Sequence, residues 1–245
     1  MKRLWLLHFA GNAVLIGLIY WWLGIGDARG LQILTTIVLG LALLFAVLWL
    51  QAGSFAWFRE QQPPALGPSF RIVLPKLPAF GAAALLSLLV YLGIEWLDSR
   101  AYPPAVSIAS WLTFHIRKPI PPLRIYQGFH AGLWAIRWLI LPSYLLPLAS
   151  AVAAHSWLGF RLAGTQTLPR FYWPRCVALT LAAFYLPGLL IHWVPDAHGI
   201  TLQTTSFALR FLIAYCLFVT AWLLLLFFSS GGRPRVSQPV TAALP

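Results

Sequence analysis

Acidic side chains are the first shortage: Asp27, Glu60, Glu95, Asp98 and Asp196 are the only five in 245 residues. General acid–base and metal chemistry wants carboxylates gathered around one reacting group, and no two of these are adjacent. The HExxH and GxSxG motifs are missing, as is a glycine-rich phosphate loop followed by Lys. Hydrolytic chemistry is left without its usual parts, and the chain reads as non-enzymatic. Cysteine is scarcer still. Cys176 and Cys216 stand in apolar runs, with no CxxC and no metal-ligand spacing, so they read as small buried hydrophobes. Charge of both signs is thin as well: 9% of residues, where a soluble domain carries about 25%. Most of the surface therefore cannot face water, which makes this an integral membrane protein.

What is present fits that class. The chain is 60% hydrophobic with a mean hydropathy of +0.78. It carries 13 Trp, a residue that collects at membrane interfaces. A net charge of +12 would suggest nucleic acid in a soluble protein. Here Lys and Arg are expected to anchor loops and meet anionic lipid. Membrane lipids and other membrane proteins are thus the expected partners, with no nucleic acid and no cofactor.

Apolar runs near the ~20 residues that cross a bilayer occur six times, near 4–24, 31–56, 78–97, 127–154, 176–194 and 200–228. The first begins at Met1-Lys-Arg-Leu-Trp and lacks a small-residue cleavage site, so it reads as an uncleaved span rather than a signal peptide. Pro142 and Pro147 are expected to kink the fourth span. With six spans and the N-terminus inside, ten Lys and Arg fall on the inner side and five on the outer. A seventh span over 101–116 would change this to eight and seven, and would be only 16 residues long with two prolines. Six spans of a plasma membrane protein, with both termini cytoplasmic, is the expectation, and 229–245 reads as a disordered cytoplasmic tail.

The spans pair into three hairpins, near 4–56, 78–154 and 176–228. Trp22 through Asp27-Ala-Arg-Gly to Gln32 parallels Trp193 through Asp196-Ala-His-Gly to Gln203, and Trp96-Leu-Asp98-Ser-Arg100 is a weaker third copy. A basic residue precedes each Trp by a similar distance, 19 residues from Arg3, 20 from Lys76 and 18 from Arg175. The middle hairpin is longer by an insertion over about 101–125. There Val106, Ile108, Trp111, Leu112 and Ile116 share one helical face, bounded by Pro103-Pro104 and Pro119. This predicts an interfacial amphipathic helix over about 104–118.

Two arginines fall inside spans, where ionisable groups are rare. Arg137 and Arg210 each lie about ten residues from the outer end of a span, with Glu95, Asp98 and Asp196 as candidate partners. One reading is an outward cavity in which paired guanidinium groups hold an anion, such as a lipid phosphate or carboxylate. The other is snorkelling or salt-bridge locking. Arg117, Lys118 and Arg124 lie at headgroup level beside this span and join the candidate anion or lipid site. Among histidines, His130 and His192 near the outer face are an alternative pair of haem ligands, within an alternative reading as a membrane enzyme or haem subunit.

Overall fold

The computed structural model describes residues 1–26, 29–59, 66–165, 171–195 and 199–230. They form helices α1 (Lys2–Leu23), α2 (Gly30–Arg59), α3 (Leu66–Ile72), α4 (Leu77–Ser99), α5 (Tyr102–Ile116) and α6 (Pro122–Ala135), then α7 (Leu141–His155), α8 (Gly159–Leu162), α9 (Tyr172–Thr180), α10 (Leu186–His192) and α11 (Ile200–Ser229). No strand occurs among the described residues. Six helical stretches are long and apolar enough to cross a membrane: Lys2–Leu23, Gly30–Arg59, Leu66–Ser99, Pro122–Leu162, Tyr172–His192 and Ile200–Ser229. This is an all-α, six-span membrane fold. Most of the expected tail, 231–245, lies outside the described residues.

The two ends of the bundle differ. At the end carrying Lys2, Arg59, Leu77, His155, Tyr172 and Ser229, side chains are densely packed: Leu4, Phe55, Val73, Val152 and Leu226 are all buried. We call this the closed end. At the other end, Tyr20, Leu31, Leu92, Trp96, Val194 and Leu202 are exposed. This is the open end. Composition within a single helix accounts for the difference. The closed half of α2 contains Ala52-Gly53-Ser54 and Ala56, small residues that let helices approach closely. A Cβ on Gly53 would stand 2.5 Å from the Phe70 ring. The open half of α2 contains Leu31, Ile33, Leu34, Ile37, Val38 and Leu41 instead, all exposed.

Polar contacts follow the same division. Hydrogen bonds between different hairpins lie toward the closed end: Trp5 Nε1 donates to Thr220 Oγ1 (3.1 Å), Trp222 Nε1 to Gln51 Oε1 (2.8 Å) and Arg59 to the Ser150 carbonyl (3.1 Å). Within the first hairpin, His8 and Ser54, both fully buried, bond at 2.6 Å. Ser54 gives its one proton to the Leu50 carbonyl (2.8 Å), so His8 Nε2 is the donor to Ser54. Lys76 Nζ bonds the Ala154 carbonyl at 2.6 Å, at the C-terminal end of α7 where the helix dipole favours a cation.

Prolines explain the breaks in the fourth and fifth spans. Residues Ile136–Ile140 and Leu181–Tyr185 are each one turn of π-helix, closed by Leu141 N–H to the Ile136 carbonyl and Leu186 N–H to the Leu181 carbonyl. Each is followed by the same dipeptide, Leu141-Pro142 and Leu186-Pro187. Proline has no N–H to continue the α ladder, and a π-bulge accommodates the defect. Pro147 has a different remedy. The Ser143 carbonyl it cannot bond accepts the Tyr172 hydroxyl of the fifth span at 3.2 Å.

The predicted amphipathic helix is α5, but its apolar face is not what packs on the protein. Ala101, Ala105 and Ala109, spaced four apart, are the buried stripe, while Val106, Ile108, Trp111 and Ile116 point away. The small stripe lets α5 lie against α6, with Tyr102 at the start of α5 edge-on to Tyr126. At the other end Thr113 Oγ1 accepts the Ile120 N–H at 3.0 Å. Arg117, at φ 54°, makes the left-handed turn that stops α5.

Candidate functional site

The open end of the second hairpin is held by one ion pair and one histidine–carboxylate hydrogen bond. Glu95 and Asp98, three apart on α4, share a helix face, as do His130 and Arg137 seven apart on the opposing arm. Asp98 Oδ2 meets His130 Nδ1 at 2.8 Å, and Arg137 donates to Glu95 Oε2. Arg137 also lies 5.4 Å from the Trp138 ring, and its buried Nε has no partner.

Arg210 occupies the matching position in the third hairpin and is nearly buried. It donates from Nη1 to the Leu190 carbonyl of α10 and from Nε to the Ser206 carbonyl, both at 3.2 Å. Trp193 and Phe207 lie beside the guanidinium, at 5.9 and 6.0 Å. Thus each arginine ties the second arm of its hairpin to the first, with a carboxylate as acceptor in one and a backbone carbonyl in the other. The first hairpin has an indole in this role. Trp22 Nε1 donates to the Thr36 carbonyl at 2.8 Å, and its ring lies over Gly40, where a Cβ would come within 3.2 Å.

Arg137 and Arg210 each bond within their own hairpin. Glu95 is taken up by Arg137, and Asp196 lies outside the described residues. Arg117, Lys118 and Arg124 are different. All three are exposed at the α5–α6 turn, and none forms an ion pair among the described residues. Around them Trp111, Phe114, Ile116 and Leu123 are also exposed.

His130 and His192 each bond within their own hairpin. His130 is held by Asp98, whereas His192 bonds the Gly188 carbonyl through Nδ1 at 2.8 Å. Among the described residues no group of three or more His, Cys, Asp or Glu is placed to hold a metal ion.

Between the two π-helical turns lies a cavity of ≈ 310 Å³, lined by Trp134 and Trp138 from the fourth span and by Thr180, Leu181, Phe184, Tyr185, Gly188, Leu189 and His192 from the fifth. Trp134 meets Tyr185 edge-on at 6.0 Å, and Trp138 meets Phe184 at 5.5 Å. Sequence reasoning missed this cavity. The signal present was the Leu-Pro dipeptide recurring in two spans amid aromatic residues.

Comparison with family models, with curated proteins and with solved structures finds no match to this chain.

Proposed function

We propose that this multi-pass membrane protein is a non-enzymatic, transport-like or accessory component that holds anionic lipid at its open end. The observation that carries this reading is the α5–α6 turn, where three exposed cations without ion-pair partners among the described residues adjoin four exposed apolar side chains. Basic groups at headgroup level attract anionic lipid by about 1 kcal/mol each, while Trp and Phe sit at the boundary between headgroup and chain. Lipid phosphate is a fitting acceptor for Arg117, Lys118 and Arg124, since an arginine presents a fork of donors to it. Arg137, Glu95 and Arg210 enter as the latches that position the arms behind this turn.

The orientation we infer has both termini cytoplasmic in a bacterial plasma membrane, supported by the ten-to-five excess of Lys and Arg on the side of the closed end. Cysteine placed at Ile120, in a Cys216→Ser background, should then be labelled by an impermeant reagent from outside the cell. Labelling from the cytoplasmic side alone would reverse the assignment. For the lipid, the test is copurification with identification of retained lipids by mass spectrometry. Phosphatidylglycerol or cardiolipin should be enriched over its share of the membrane and lose that enrichment in R117Q/K118Q/R124Q. Equal enrichment in both proteins would remove the site from this turn.

A further inference from the structure

We infer that the cavity between the π-helical turns is a binding site for the planar, oxygen-bearing ring of a lipid-soluble molecule of the quinone class. This inference is independent of the lipid site at the α5–α6 turn and rests on different residues.

The cavity is built between two spans, so its occupant comes from the lipid phase. Its volume, ≈ 310 Å³, lies at the lower end of the range typical of small-molecule pockets, about 300–1,000 Å³. Four of its walls are aromatic: Trp134, Trp138, Phe184 and Tyr185. Aromatic faces and edges favour another flat ring at centroid separations of about 4.5–7 Å. A saturated acyl chain gains only dispersion from the same walls.

Polar groups sharpen the choice. Thr180 is 1% exposed, yet its hydroxyl has no hydrogen-bond partner. A threonine in a helix ordinarily bonds the carbonyl one turn back, as Thr204 and Thr205 do here at 2.9 and 2.8 Å. An unpaired hydroxyl in a cavity wall is costly; sealed from the cavity as it stands, it would donate to a ring carbonyl oxygen after rotating about its Cα–Cβ bond. At the other end, His192 spends its Nδ1 proton on the Gly188 carbonyl, because a carbonyl can only accept. In the neutral ring Nε2 is then a lone-pair acceptor, suited to the hydroxyl of a reduced ring.

Gly188 keeps the space free. It lines the cavity, and a Cβ added there would meet nothing within 4 Å. A Cβ at this position strikes neither backbone nor side chain, which makes Gly188→Leu the variant chosen to crowd the cavity. Both spans are also interrupted at the cavity wall by their π-helical turns, a local geometry that recurs at functional sites.

The experiment uses the full chain in lipid nanodiscs, titrated with decylubiquinone and followed by equilibrium binding of the quinone and by quenching of tryptophan fluorescence. Wild-type protein should bind saturably, with decanol, the chain without a ring, failing to compete. Thr180→Val, which keeps shape and removes the hydroxyl, should weaken binding about fivefold. Gly188→Leu should abolish binding while its thermal unfolding matches wild type. If decanol competes as well as decylubiquinone, the site takes acyl chains and the inference fails. Unchanged binding by a folded Gly188→Leu would likewise overturn it. Should Gly188→Leu prove unstable, Thr180→Val decides alone: undiminished affinity in that variant sinks the assigned hydroxyl contact and the ring with it.

Discussion

The closed end joins the three hairpins to one another, whereas the open end holds each hairpin mainly to itself. At the closed end the bonds run between hairpins, as from Trp5 to Thr220 and from Arg59 to Ser150. At the open end Trp22–Thr36, Glu95–Arg137 and Arg210–Leu190 each stay within one hairpin. Small residues explain the first, since hydrophobicity gives little drive to helix association in lipid and close approach supplies it. Large exposed aliphatics explain the second. Rigidity and access are thereby assigned to opposite ends, and the sites we propose lie toward the open end, where lipid-phase molecules can enter.

The sharpest way to break this contrast is a methyl group. A Cβ on Gly159 would stand 2.5 Å from the Val152 backbone, which cannot move aside as a side chain could. Gly159→Ala should therefore cost about 3 kcal/mol or more, at or above the top of the usual range for overpacking. Gly93→Ala, with open space around its Cβ, should be neutral or stabilising by up to about 1 kcal/mol through helix propensity. Thermal unfolding in detergent compares the two, and equal losses would end the distinction between ends. Next comes Ser54→Ala, which strands the buried His8 donor and should cost about 1–3 kcal/mol.

Smaller effects belong to the latches. A double-mutant cycle on Glu95→Leu and Arg137→Leu should return a coupling of about 1–2 kcal/mol, and zero coupling would mean the pair does not hold the hairpin. The same cycle on Asp98→Asn and His130→Ala should give less than about 1 kcal/mol, because Asp98 lies one turn nearer the outer end of α4 and the aqueous phase. Least of all, R117Q/K118Q/R124Q should leave unfolding unchanged, since none of those groups forms an ion pair within the described chain.

The six spans were legible because a bilayer demands long apolar runs, and 4–24 or 200–228 in sequence became Lys2–Leu23 and Ile200–Ser229. Prolines gave α5 its limits in the same way. Its packing stripe was less legible. Ala101, Ala105 and Ala109 are too small to dominate a hydrophobic pattern, yet their smallness is what lets α6 approach. Glu95 could be named as a partner for Arg137, because a guanidinium within a span, in a chain with five acids, has few choices. The partner of Arg210 could not, because backbone carbonyls carry no residue-specific signal. Nor could the cavity, which depends on how two interrupted helices face each other across 40 residues or more of chain.

The π-helical turn at Ile136–Ile140 also sets a rotational phase. Each residue of an α-helix turns the chain by about 100°, so one residue more than the α ladder needs re-aims everything before it. Deleting Leu139 would remove the extra residue of the π turn and leave Pro142 inside an α ladder that it cannot complete. The same deletion would swing His130 and Arg137 by roughly a quarter turn away from Asp98 and Glu95. For this span the apparent defect works as a keyway: it fixes the angle at which the outer arm meets its partner.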